Sequence, residues 1–312
     1  MIIVEIMLPI ILISLFGYVI ARKHILSPQQ CDAVSRCTFY IFIPSLLFLS
    51  SATAEFSSPF NWLFFISYYL GVVLVFIASC LFSRVYLGMS QNDQGAFAVA
   101  CSYSNTTIVG IPVCLYVVGE KAITPLFILI SVHTLLVFTM GLLVSEWSSN
   151  KARTIYVQIS FLLKSLVFNP IIVSLLLGSA VNISGISLNL HVESTLGFIS
   201  QAALPLSLFV LGSSLNQYGL YRIDFSTMAL VVFKLMILPL AVWWLSFDVF
   251  SVDIMWASVA LLISAMPVGI NAYFFSAQHA KNKDVIGSSI LISTLLSIVT
   301  LSLAIQYVHL II

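Results

Sequence analysis

Apolar residues run through this chain in ten long blocks, each closed by a short polar stretch. The blocks cover residues 2–21, 30–51, 61–82, 93–117, 122–145, 157–180, 194–215, 226–247, 254–277 and 285–308. An apolar helix of about 20 residues crosses a hydrocarbon core of ~30 Å, so the pattern predicts ten transmembrane helices. The longest connection, from Trp147 to Tyr156, leaves no room for a separate soluble domain.

Composition says the same thing. The chain has 312 residues, 61% hydrophobic and 7% charged, and its mean hydropathy is +1.12. A soluble domain carries about 25% charged residues. Here 12 basic and 11 acidic side chains cannot cover the surface, so the main solvent must be the lipid bilayer. With a net charge of +1 and no basic cluster beyond pairs such as Arg22-Lys23, nothing points to nucleic acid. The apolar run Ile2–Ile20 is too long for a signal peptide core. It also lacks a charged leader and has its positive charges behind it, so it reads as the first span.

The distribution of Lys and Arg orients the spans. With the N-terminus outside, the cytoplasmic loops hold Arg22, Lys23, Arg36, Arg84, Lys151, Arg153, Lys164, Arg222, Lys281 and Lys283. The outside holds Lys121 alone, and Lys234 falls within a span. An even number of spans then places both termini outside the cytoplasm.

The two halves of the chain superimpose at an offset of 161. Pro9-Ile10-Ile11 falls on Pro170-Ile171-Ile172, Gly17 on Gly178, Pro44 on Pro205, Leu47 on Leu208 and Phe48 on Phe209. Coincidences of Pro and Gly at one offset are harder to obtain by chance than those of Leu and Ile. The expectation is a first five-helix repeat over 1–150 and a second over 151–312. Five is odd, so the second repeat enters the membrane upside down, as in many secondary transporters.

Such carriers bind substrate near the midplane, at helices broken in matching positions of the two halves. The fourth span reads Ser104-Asn105-Thr106-Thr107-Ile108-Val109-Gly110-Ile111-Pro112, and the ninth Ser264-Ala265-Met266-Pro267-Val268-Gly269-Ile270-Asn271. Proline removes an intrahelical hydrogen bond and glycine admits backbone angles others avoid. Unwound backbone survives in a membrane only where it is buried or lines a cavity. The half-helix N-termini that result carry partial positive charge, which suits an anion.

These residues resemble the crossover motifs of the auxin efflux carrier family, which includes plant carriers and bacterial malonate-transporter-like members. Asn105-Thr106 followed by Gly110-Ile111-Pro112 is similar to the family's fourth-helix pattern. Pro267-Val268-Gly269-Ile270, with Asp284 opening the tenth helix, resembles its ninth-to-tenth-helix pattern; Asn169-Pro170 and the stretch from Pro205 to Gly212 add to the likeness. The resemblance implies an all-α integral membrane protein with crossed broken helices 4 and 9. Helices 1, 2, 6 and 7 would form a scaffold that pairs two copies into a homodimer. Helices 3–5 and 8–10 would form a transport domain moving in an elevator-like way. It implies efflux of small organic anions across a bacterial inner membrane. The chain lacks the long loop that plant carriers place between helices 5 and 6, which favours a bacterial type of member.

The candidate substrate-binding residues are Asn105, Thr106, Gly110, Pro112, Pro267, Gly269, Asn271 and Lys234. Asn105 offers an amide that donates to a carboxylate; the plainer reading is a helix–helix hydrogen bond. Asn271 is open in the same way. Pro112 and Pro267 read as the breaks, while Pro44 and Pro205 read as ordinary kinks. Lys234 lies some eight residues into its span, hence ~12 Å deep. It serves a bound anion, a proton or a carbonyl there, or else snorkels to the interface. His133 reads as a hydrogen-bonded structural residue. The tryptophans, mostly near span ends, read as an interfacial belt.

Five scattered cysteines without a CxxC pair read as small buried hydrophobes, with no metal site and no cofactor. The sequence shows neither an HExxH nor a GxSxG motif, and no span holds two acids at its centre, which argues against an enzyme. A channel or a membrane sensor built on a transporter-like fold is the alternative.

Overall fold

The computed structural model describes residues 2–53, 61–146, 170–215, 223–279 and 283–311. Several expectations fall outside that range: Lys151, Arg153, Lys164, Arg222, Lys281, Trp147, Asn169 and the first part of the sixth span, as does the side chain of Lys283. Twelve helices are described. They are α1 (Ile2–Arg22), α2 (Pro28–Ala52), α3 (Trp62–Val85), α4 (Gln91–Ser102), α5 (Thr106–Val118), α6 (Glu120–Ser145), α7 (Pro170–Ile183), α8 (Leu190–Ser213), α9 (Phe225–Val249), α10 (Ile254–Ser264), α11 (Ile270–His279) and α12 (Lys283–Ile311).

By length and apolarity six of these can cross a membrane: α2, α3, α6, α8, α9 and α12. Shorter apolar helices are Leu12–Arg22 within α1, α5, α7 and α10. The stretches expected to form the fourth and ninth spans are each two short helices with a gap between them, α4 with α5 and α10 with α11.

The outward faces of the helices are apolar, unlike those of a soluble protein. On α3 the exposed face is Leu63, Ile66, Leu70, Leu74, Ile77 and Leu81, at helical spacing, while the buried face carries Ser67, Tyr68, Ser79 and Ser83. On α12, Leu295, Leu296, Val299 and Leu303 face outward, and Ser288, Ser289, Ser293 and Ser297 face in. With lipid outside there is no penalty for the apolar stripe, and helices associate through small and polar residues instead. Several buried hydroxyls are satisfied on their own helices, Ser79 donating to Phe76 O at 3.0 Å and Ser289 to Val285 O at 2.7 Å. Trp62 and Trp244 are exposed, as belt residues are, but Trp256 is buried edge-on against Phe64 at 5.0 Å between ring centroids.

α1 packs along α8, and α2 along α7. Both contacts depend on glycine. A β-carbon at Gly17 would collide with the Phe209 carbonyl oxygen, and one at Gly178 with the Phe48 carbonyl oxygen and the Ser51 hydroxyl. In these crossings the backbones touch.

Three five-residue π-helical segments interrupt the spans: Thr38–Phe42, Thr106–Gly110 and Phe233–Ile237. Each ends two residues before a proline, namely Pro44, Pro112 and Pro239. Proline cannot donate to the carbonyl four residues back and crowds it, and a locally wider turn relieves both problems.

Candidate functional site

α4 stops at Ser102 and α10 at Ser264, and the two unwound stretches that follow cross each other. Ser104 and Val268 face each other as an antiparallel bridge. Asn105 N–H donates to Pro267 O at 2.9 Å and Gly269 N–H donates to Tyr103 O at 3.0 Å. Here backbone that left its own helix is satisfied by the other broken span, as a membrane interior demands. The approach requires glycine at 269, where a β-carbon would lie 2.6 Å from Tyr103 Cδ1 and 3.0 Å from Ser104 O.

The middle residues of the bridge point their N–H groups outward, and neighbouring helices accept them. Ser104 N–H donates to His133 Nε2 on α6 at 3.2 Å, and Val268 N–H donates to Ser293 Oγ on α12 at 3.1 Å. With Nε2 as acceptor, His133 is the neutral tautomer carrying its proton on Nδ1. It stacks on Tyr103 with ring centroids 5.0 Å apart.

Two new helices start from the crossing. Asn105 caps α5, its Oδ1 accepting from Ile108 N–H at 3.3 Å, which leaves its amide N–H groups for another acceptor. α11 starts at Ile270, next to Gly269. The N-terminal ends of α5 and α11, each with its partial positive charge, open on one cavity of about 150 Å³. Residues 103–108 and 269–271 line it, together with Phe39 from α2. None of these side chains is charged. At its rim Asn271 Nδ2 donates to the Tyr103 hydroxyl at 3.0 Å, and that hydroxyl shares a 2.8 Å hydrogen bond with Thr134. A cavity of about 150 Å³ is large enough for a benzene-sized guest.

A family model described as membrane transport protein matches residues 2–305. The chain belongs to that family. Among its relatives, an uncharacterized transporter of Methanothermobacter thermautotrophicus is 26% identical over 305 residues, covering 96% of each chain. A putative malonate transporter of Rhizobium meliloti is 23% identical over 301 residues, 95% of this chain and 92% of its own. Auxin efflux carrier component 5 of Arabidopsis thaliana is 25% identical over 170 residues, covering 50% of this chain and 46% of the plant protein. The likeness to auxin efflux carriers seen in the motifs therefore holds for this membrane transporter.

Of the eight residues singled out from sequence, Asn105, Thr106, Gly269 and Asn271 line the cavity. Pro267 lies behind it as a hydrogen-bond acceptor of the crossing. Gly110 and Pro112 sit further along α5, where Gly110 abuts Ile263 on α10. Lys234 does not snorkel. It is fully buried on the π-helical segment of α9, and its Nζ donates to Ser264 O at 2.7 Å, the last carbonyl of α10. Tyr103 and Phe39 line the cavity without having been singled out, because an aromatic ring in an apolar run looks like any other core residue.

Proposed function

We propose that this transporter is a secondary carrier of small organic anions. The observation that carries the reading is the uncharged cavity onto which the ends of α5 and α11 and the Asn105 amide converge. A carboxylate there meets two helix dipoles and an amide donor, with no acid to repel it. The cavity's size favours a small carboxylate, which agrees with the name of the malonate-transporter relative.

The same proposal covers the architecture: ten spans in two inverted five-helix repeats, 1–150 and 151–312. The reciprocal contacts of Gly17 with Phe209 and of Gly178 with Phe48 support it, since each pair maps onto the other at the offset of 161. Under this reading α1, α2, α7 and α8 form the scaffold and dimer contact, the remaining helices carry the site, and alternating access is elevator-like. The location is a bacterial inner membrane with both termini outside the cytoplasm.

The test is counterflow in liposomes of labelled acetate, lactate, malonate and malate against neutral analogues of similar size. Saturable exchange confined to the anions is expected. Exchange of neutral analogues at equal rates, or of nothing by intact protein, would overturn the reading and favour a channel or a sensor.

A further inference from the structure

We infer that Lys234 is the resident counter-ion of the transported anion, held at the C-terminal end of the α10 half-helix where a carrier would otherwise bind a coupling cation. This rests on the carrier reading above and adds to it the charge that crosses the membrane field.

The crossing has two electrostatic sides. The N-terminal ends of α5 and α11, partially positive, face the cavity. The C-terminal ends of α4 and α10, partially negative, stop at Ser102 and Ser264 on the other side of the unwound stretches. In carriers with broken helices, such C-terminal ends and unwound carbonyls are where sodium or protons are held. Here that place is filled by the protein itself. The Lys234 side chain donates to Ser264 O at 2.7 Å, the last carbonyl of α10. Among the described residues Lys234 forms no ion pair, so its charge is not neutralised by a fixed carboxylate. A buried lysine in a span is costly, and a functional role is its default reading.

The placement is made by the local fold. Lys234 sits within the π-helical segment Phe233–Ile237 that Pro239 forces on α9. Lys234 stands at helical spacing with the buried Thr227, Leu230, Val231, Leu238 and Val242, opposite the exposed Val232, Met236 and Leu240, and so faces the core. Lys234 is therefore a positioning residue for the site. It reaches the anion through the half-helix and the crossing rather than by contact, and it moves through the membrane field together with them.

The charge carried by the loaded site is then one unit more positive than that of the substrate. A monocarboxylate crosses as a neutral assembly and a dicarboxylate as a single negative charge. The test is exchange under saturating substrate on both sides of liposomes, with valinomycin and either equal potassium or a hundredfold potassium gradient. Wild type and Lys234→Met are compared, using whichever of acetate, lactate, malonate or malate exchanges fastest. If it is a monocarboxylate, wild-type exchange is expected to stay within about twofold on imposing the gradient. With a dicarboxylate it slows several-fold. Lys234→Met, similar in length and uncharged, responds with one additional unit of negative charge in either case. Identical responses in the two proteins, or a wild-type response equal to the full charge of the substrate, would overturn the inference while leaving the carrier reading intact. If Lys234→Met does not fold, the wild-type response alone decides between the two charges. Absence of exchange by any of the four anions removes the carrier reading, and this inference with it.

Discussion

Gly17 lies so close to the main-chain carbonyl of Phe209 that any β-carbon at position 17 would overlap it. The reciprocal contact joins Gly178 to Phe48, and each member stands 161 residues from its counterpart. A second set repeats the relation, with Gly212 against the Ser14 carbonyl and the Ser51 hydroxyl reaching Leu175 O at 3.4 Å. Backbone contact of this kind contributes through close van der Waals packing, since lipid offers no hydrophobic drive between helices. Gly17→Val and Gly178→Val are each expected to cost about 1–3 kcal/mol through overpacking. Thermal unfolding in detergent should show comparable losses for the two. An unchanged melting temperature in either would mean that the contact is dispensable.

Asn105 has two separable duties. Its oxygen caps α5 and its amide N–H groups are free for the cavity guest. Asn105→Asp keeps a capping oxygen while adding a negative charge to the cavity, so the helix cap should survive while anion exchange falls by more than tenfold. Asn105→Ala should lose exchange and also about 0.5–2 kcal/mol of stability with the cap. Unimpaired exchange by the aspartate variant would place the anion elsewhere.

The outward N–H groups of Ser104 and Val268 depend on His133 and Ser293 for their acceptors. Ser293→Ala strands the Val268 N–H in the protein interior, at a cost of about 1–3 kcal/mol. His133→Leu does the same to Ser104, whereas His133→Gln retains an acceptor and should recover part of the loss. Melting curves of the three purified variants are the check; an equal cost for His133→Leu and His133→Gln would show that packing rather than the hydrogen bond matters.

Replacing sodium by choline on both sides of the liposome should leave exchange unaltered, because no carboxylate lines the cavity to hold the ion. A sodium requirement would contradict this. It would also mean that the ion binds on the C-terminal side of the crossing despite Lys234.

The broken spans were legible because Pro112, Pro267, Gly110 and Gly269 are conspicuous in otherwise apolar runs. The place of the first break was less so: the chain leaves the helix at Tyr103, well before Pro112, and that proline acts on the following π-helical turn instead. The register of the repeat was legible in its glycines and prolines, the residues whose backbones must touch or bend. The partner of Lys234 was not, since a main-chain carbonyl 30 residues away leaves no mark in the side-chain pattern. Nor were the acceptors His133 and Ser293, because a lone polar residue in a span has many uses.

The bridge between the broken spans is made of main-chain atoms on both sides, with Asn105 and Gly269 giving and Pro267 and Tyr103 receiving. Its geometry is therefore largely indifferent to most of the side chains around it. Phe39, Thr106, Thr107 and Asn271 can be exchanged for others without unfastening the two strands, so a lineage can alter what it carries in single mutational steps while the machinery that carries it stays assembled.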